Sequence, residues 1–334
     1  AHYRACMDAM LADDAFDCIF VNFVTPFFVD NESIAREIVA VSQLQRKPLV
    51  CNLMTDRQQW SEVVTILRDG GVPCFSLPGE AARSMAALVR YNTIRTREPG
   101  ELKTFSDTDR QKGLSILSEA KQAGRRNLSA EEVYEILAAY GIPTAAWRVT
   151  ANANEAVAAA ESIGFPVVVK ADSAAVVHKS DMGAVAVNLA DADEVRAAID
   201  QMQTTLAADE LRFLVQKFMP GGLEVILGAK AEEDLGHLIM FGLGGIHVEV
   251  LKDVVFNLTP LSTTEAKEML AAIKGAPLLK GVRSRKGVNR GRLEELILRL
   301  SQLVKDLPAI KEMDLNPVMA FEDGAVVVDA RISI

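Results

Sequence analysis

Four groups of residues in this 334-residue chain have types and spacings that could do chemistry. Lys170 ends the apolar run PVVVK. A lysine there either stretches its stem out to solvent or points into a pocket. Eight residues on, HKSDMG sets His178, Lys179, Ser180, Asp181 and Gly183 between two predicted strands. An imidazole beside a lysine, a hydroxyl and a carboxylate can be a proton shuttle, a ligand or a nucleophile. The third group is FGLGGIHVEVLKD, in which Gly242, Gly244 and Gly245 follow an apolar strand and precede Glu249 and Asp253. Glycines let backbone N–H groups come close to phosphate oxygens. In the fourth, DLNP places Asp314 and Asn316 two apart on a strand, hence on one face. Asp329 ends the run AVVVD, expected on the adjacent hairpin strand. That hairpin can gather three oxygen ligands, which suit Mg²⁺ held with nucleotide phosphates, and no His/Cys set competes for a softer metal. Taken singly, each group also has a plain structural reading: a surface lysine, a solvated turn, a tight glycine turn and a polar hairpin.

The elements that must position these residues follow from pattern. Over 1–92, helices near 3–11, 32–44, 60–68 and 81–91 alternate with the apolar runs CIFVNFV, PLVCNLM and VPCFSL. Continuous apolar strands between amphipathic helices predict a parallel sheet covered on both faces, a flavodoxin-like or Rossmann-like unit. It has no GxGxxG turn, so support for a dinucleotide site is weak. The polar stretch 93–128, with Pro99 and Gly100, reads as a linker carrying a short helix near 111–122. From 129 a second α/β region begins, where Ser129 and Glu132 form a capping box, Asn152 with Glu155 repeats the signal, and Ser262 with Glu265 gives it again. Its strands are predicted at PVVVKAD, AVAVNL, FLVQKF, LEVILGAK, HLIMFGL and VVFNLTP. A helix over 293–303 then precedes two closing strands, MDLNPVMAF and AVVVDARI.

Composition bounds the classes. Hydrophobic residues make up 49% and charged residues 24%, as in globular proteins with sizeable cores. A formal charge of −9 argues against nucleic acid or an anionic membrane as the main partner. No apolar run reaches the roughly 18 residues of a membrane span, and a secretory pattern is missing from the start of the chain. The four cysteines lie in the first quarter without a CxxC pair, and read as buried thiols of a reducing, cytoplasmic compartment. The chain opens on Ala rather than Met and is expected to be a piece of a longer protein.

In this order, the blocks VVVKAD, HKSDMGAV, VQKFMPGGLEVILG, MFGLGGIHVEVLKD, PLLKGVRSRKG and MDLNPVMA…VVVDARI resemble the ATP-grasp part of ADP-forming acyl-CoA synthetases, relatives of succinyl-CoA synthetase. Residues 1–92 resemble the last flavodoxin-like ligase domain of single-chain members. The resemblance implies an α/β chain: a flavodoxin-like parallel-sheet domain over 1–92, a linker over 93–128, and a two-lobed ATP-grasp domain over 129–334. It implies ATP or ADP with Mg²⁺ as cofactors. Lys170 matches the lysine on the phosphates, Gln216, Lys217, Phe218 and Met219 the strand beside the adenine, and Glu224 the carboxylate on the ribose. Gly244 and Gly245 match the glycine turn of the nucleotide site. Asn316 and Asp329 match magnesium ligands, with Asp314 nearby on the phosphate side. His178 matches a catalytic histidine that relays phosphate, while Glu249 and Asp253 belong to the signature as metal or phosphate contacts. Ala184 and Ser284 stand where the family usually has glycine. CoA and a small carboxylic acid are implied as partners through a CoA-binding domain and a first ligase domain, upstream or on another subunit, in an oligomeric assembly. The alternative is the regulatory synthetase-like module of a bacterial protein lysine acetyltransferase.

Overall fold

A computed structural model describes residues 2–56, 58–172, 183–206, 211–245, 253–282 and 285–334. The chain packs as two units, divided between Glu98 and Pro99.

The first unit runs α1 (His2–Ala12), β1 (Ile19–Val24), α2 (Asn31–Ser42), β2 (Leu49–Met54), α3 (Ser61–Asp69), β3 (Cys74–Phe75) and α4 (Pro78–Thr96). The three strands pair in parallel in the order β1-β2-β3, as the apolar runs between helices require. Ile19, Val21 and Phe23 of β1 are buried with Ile38 of α2 and Leu67 of α3. The cysteines correct the reading of uniformly buried thiols: no disulfide joins them, only Cys51 is buried, and Cys6 is exposed. Cys6 lies on α1 outside its buried positions, Met7 and Leu11.

The second unit holds two lobes. Its elements begin with α5 (Arg110–Gln122), α6 (Ala130–Ala139), β4 (Trp147–Thr150), α7 (Ala153–Ile163), β5 (Val167–Asp172), β6 (Val185–Leu189), α8 (Ala192–Leu206) and β7 (Arg212–Lys217). There follow β8 (Leu223–Glu232), β9 (Gly236–Leu243), β10 (Val254–Leu258), α9 (Thr263–Ala272), α10 (Ala276–Lys280), β11 (Gly281–Val282) and β12 (Arg285–Lys286). The chain continues with α11 (Arg290–Asp306), β13 (Glu312–Ala320), β14 (Ala325–Val327) and β15 (Ala330–Ser333). The small lobe is an antiparallel sheet in the order β4-β7-β5-β6. Val167, Val169 and Ala171 of β5 pack with Ala156 and Ala160 of α7 and Ile199 of α8. The period-2 alternation then turns Val168 and Lys170 to the opposite face. The large lobe is a sheet in the order β10-β9-β8-β13-β14, with β15 also on β13, and α11 buries Leu293, Ile297, Leu300 and Val304 in its core.

Two features differ from the sequence reading. Of residues 93–128, read as a linker, the first four end α4 and 99–128 pack into the large lobe. Phe105, Ile116 and Leu117 are buried there, and Arg299 of α11 bonds to Asp107 at 2.9 and 3.1 Å beneath the Phe105 ring. The closing strand AVVVDARI is split at Val328–Asp329 into β14 and β15. The ladder shifts register opposite that split, between Leu315 and Val318, where Pro317 has no N–H to pair.

The capping boxes form as read: the Ser129 side chain accepts from Glu132 N, and Glu132 in turn accepts from Ser129 N at 2.8 Å. Glu132 also takes both Arg125 Nη atoms at 2.6 Å. Those Arg125 bonds chiefly hold its carboxyl down at about 2, against an ordinary 4.5. A depressed carboxylate stabilises the fold above its unfolded value, and the contribution fades as pH falls from 4.5 towards about 2. The stability gap between wild type and Glu132→Gln, from urea unfolding, is therefore expected to be constant above about pH 5 and to close towards about pH 2. A gap unchanged across that window would overturn the assignment.

Candidate functional site

Between the two lobes lies a cavity of about 580 Å³. From the small lobe, Lys170 of β5 reaches it with only 8% of the residue exposed. A nearly buried ammonium needs oxygen partners. Here Nζ donates to the Val328 carbonyl at 2.6 Å and to Asp329 Oδ1 at 2.8 Å, both on the large lobe. The split between β14 and β15 frees that carbonyl from the ladder and turns the Asp329 carboxylate to the cavity. The backbone is held opposite the split by Asn316 N donating to Asp329 O at 3.1 Å and Val328 N donating to Pro317 O at 3.2 Å.

A second hydrogen-bond chain meets the same carbonyl. The Tyr134 hydroxyl donates to Val328 O at 3.3 Å and accepts from Gln216 Nε2 at 3.1 Å. Because a carbonyl only accepts, the Tyr134 proton points at Val328, and Gln216 must offer its NH₂ group. Burial pushes the Tyr134 phenol well above its ordinary value and so keeps that proton in place. Its ring lies 5.2 Å from that of Trp147, centroid to centroid.

The sequence-predicted residues divide as follows. Lys170, Gln216, Glu224, Asn316 and Asp329 all line the cavity, as do Lys217, Phe218 and Met219 where the chain crosses from β7 to β8. The Lys217 ammonium itself is held by the Gly164 and Phe165 carbonyls at 2.8 and 2.9 Å, at the end of α7. Asp314 is not among the lining residues. It stands opposite Arg331 and Gly228, and burial raises its carboxyl above the usual range. The expected hairpin thus brings Asn316 and Asp329 to the cavity and leaves Asp314 outside its lining.

The glycines act through a neighbour. Neither Gly244 nor Gly245 lines the cavity; Gly244 N donates to Glu224 O at 2.8 Å. A Cβ at Gly244 would sit 2.9 Å from Glu224 Cβ, and one at Gly245, where φ is +62°, 3.0 Å from Glu224 Oε2. These glycines let the end of β9 close on the strand that carries Glu224. Asp253 is structural: its two carboxylate oxygens accept from Lys274 N at 2.6 Å and Gly275 N at 2.7 Å. His178, Glu249 and Ser284 fall outside the described residues, whereas Ala184 is fully buried in the small-lobe core.

Sequence reasoning missed Arg331 and Tyr134. Arg331 lines the cavity and follows Asp329 by two positions, a period-2 signal that could have found it. Tyr134 carried no signal beyond a core position on α6. Among the described residues, no cluster of three His, Cys, Asp or Glu side chains could hold a metal. A divalent ion here would rest on mixed oxygens, Asp329 with the Asn316 amide. Oxygen donors of these types suit Mg²⁺, and the contact of the Lys170 ammonium with Asp329 and Val328 O shows that a cation is accommodated at them.

Two lobes, each built on its own sheet and closing on a charged cavity, define a class, and residues 119–334 match the ATP-grasp domain family. The 4-hydroxybutyrate–CoA ligase (ADP-forming) of Nitrosopumilus maritimus is 39% identical over 328 residues, 94% of this chain and 46% of that ligase. The β subunit of acetate–CoA ligase (ADP-forming) I from Pyrococcus furiosus is 41% identical over 226 residues, 66% of this chain and 97% of that subunit. A solved acetyl-coenzyme A synthetase 1 from Ca. Korarchaeum cryptofilum superposes with TM-score 0.61 at 39% identity, covering 66% of this chain and 99% of that one. It holds coenzyme A and Mg-AMPPCP, with its phosphohistidine segment pointing towards the nucleotide binding site. The chain belongs to the ADP-forming acyl-CoA synthetase family. It spans less than half the length of the Nitrosopumilus ligase. No helix among the described residues is long and apolar enough to cross a membrane.

The glycine contacts carry a direct expectation. Gly244→Ala forces its methyl against Glu224 Cβ and backbone at 2.9–3.2 Å. Overpacking of this kind costs about 1–3 kcal/mol, to be read by urea unfolding. A variant as stable as wild type would show that the two strands are not in close contact.

Proposed function

We propose that this chain supplies the nucleotide site of a cytoplasmic ADP-forming acyl-CoA synthetase catalysing acyl-CoA + ADP + phosphate ⇌ carboxylic acid + CoA + ATP. The observation that carries the reading is the meeting of Lys170, Asn316 and Asp329, from different lobes, at one cavity also lined by Glu224. In this reading Lys170 binds nucleotide phosphates, Gln216 to Met219 flank the base, and Glu224 accepts from the ribose hydroxyls. Gly244 and Gly245 act by holding Glu224 in place. Asn316 and Asp329 hold Mg²⁺, with Asp314 behind them. Magnesium, when bound, offsets charge on the transferring phosphoryl group. Lys170 and the exposed Arg331 add fixed positive charge, and that of the nearly buried Lys170 acts more strongly than it would in water.

His178 is read as the relay that carries phosphate between this cavity and the acyl-CoA chemistry. A neutral imidazole is nucleophilic near neutral pH, and its phosphorylated form is a competent donor. The phosphohistidine segment of the Korarchaeum enzyme, aimed at the nucleotide, supports the reading. CoA and the small acid bind in a CoA-binding domain and a first ligase domain, elsewhere in the protein or on a partner subunit. The separate β subunit in Pyrococcus supports such a division. These relatives are acid–CoA ligases, so the acetyltransferase-regulator alternative is not favoured.

Three outcomes test the reading. Millimolar Mg-ADP is expected to raise the melting temperature of the chain, since ligand at a hundred times Kd adds about 2.7 kcal/mol. Asp329→Asn should fold yet lose the magnesium-dependent part of ADP affinity in calorimetry; unchanged affinity and magnesium dependence would sink the metal assignment. In the full-length protein, His178→Ala should abolish ATP formation while ADP binding stays nearly intact. Normal turnover by that variant would end the relay reading.

A further inference from the structure

Lys170 and Asp329 do something in this structure that their proposed roles do not require: they are bound to each other. The ammonium is nearly buried and touches one carboxylate oxygen and one backbone carbonyl. Those are donor types that a hard divalent cation also takes. Asn316 lines the same cavity, and its backbone N–H donates to the Asp329 carbonyl at 3.1 Å. Two cations cannot share one carboxylate oxygen at such distances without strong repulsion.

We propose that Lys170 is a placeholder for the metal: without nucleotide its ammonium occupies the Asp329 site, and it is released when phosphates draw it away. The inference rests on the reading of Asp329 as a metal ligand. It makes the metal site conditional. Free Mg²⁺ must displace an ammonium held by two oxygens, whereas a metal arriving with nucleotide meets a lysine whose better partner, the phosphate, has come with it. Phosphate binding and metal binding are then coupled through one side chain, and the protein does not fill with metal while the nucleotide is absent. The rival is a permanent strut, an ion pair that joins the lobes and persists in every state.

Removing a lysine that holds Asp329, placeholder or strut, frees the carboxylate and should raise metal affinity in the absence of nucleotide, whereas a lysine that only binds phosphate leaves it unchanged. The strut separates at the next step, because only a placeholder is drawn off by phosphates. The factor by which Mn²⁺ tightens ADP binding should shrink in Lys170→Met if the lysine is a placeholder, and a factor that does not shrink overturns the proposal in favour of the strut. The probe is Mn²⁺ in place of Mg²⁺, titrated into the 334-residue chain without nucleotide and read by the electron paramagnetic resonance signal of unbound Mn²⁺. Lys170→Met and Lys170→Gln, the latter keeping a donor for Val328 O, are expected to bind Mn²⁺ at least about tenfold tighter than wild type. Adding Asp329→Asn to either should remove the gain. Folded variants, checked by circular dichroism, that bind Mn²⁺ no tighter overturn the proposal, as does a gain that survives Asp329→Asn. If Asp329→Asn in the otherwise wild-type chain weakens Mg-ADP binding while the lysine variants gain nothing, the placeholder alone falls. If Asp329→Asn leaves Mg-ADP binding unchanged, the metal assignment falls first.

Discussion

One contact constrains the rest of the second unit: the Lys170 ammonium on Val328 O and Asp329. An ammonium this deeply buried is tolerated only when its desolvation is offset by a counter-charge and hydrogen bonds. The large lobe must therefore offer both a carboxylate and an unpaired carbonyl at one spot. A continuous strand at 325–333 would have used that carbonyl in its ladder. The split between β14 and β15, opposite Pro317, is what leaves it free. Tyr134 completes the arrangement from α6 by bonding the same carbonyl and fixing Gln216 with its other lone pair. The cavity floor is thus held by groups from four elements and two sheets.

What could be read from the sequence was local or periodic. The capping boxes at Ser129/Glu132 and Ser262/Glu265 are three-residue relations, and both form with the bonds the motif dictates. The alternation in PVVVKAD already places Lys170 on the face opposite Val169, so a core-facing α7 and α8 leave it towards the cleft. The continuous apolar runs before residue 92 specify a parallel sheet, but the cover expected on both faces is incomplete, since β1 alternates buried with exposed residues and leaves Phe20 and Val24 out. The motifs at Lys170, Gln216–Met219, Glu224, Asn316 and Asp329, scattered over 160 positions, lie around one cavity. Their order along the chain made that grouping legible, whereas their roles rest on the proposed nucleotide.

What could not be read depends on distant partners. Gly244 and Gly245 look like a phosphate turn in sequence, but their freedom is used against Glu224, on the neighbouring strand. Asp253 looks like a ligand, yet its partners are amides 21 and 22 residues away. Residues 99–128 look like a linker because their polar composition hides Phe105, whose value lies in a contact with Arg299, almost two hundred positions on. Asp314 and Asn316 alternate with the buried Met313 and Leu315 on one face of β13, yet only Asn316 lines the cavity, a difference of position along the strand that the face alone does not give.

The Arg299 contact also decides what counts as a self-sufficient piece of this chain. The guanidinium is almost wholly buried and answered by Asp107, Glu295 and the Tyr140 carbonyl under an aromatic roof. A fragment cut at Ser129, where the first capping box opens, would keep every cavity residue but strip away Asp107 and Phe105. It would also bare the groove that Ile116 and Leu117 fill. The compact unit that carries the cavity therefore starts some thirty residues before the first capping box, at Pro99, and includes the stretch that composition alone marks as loose.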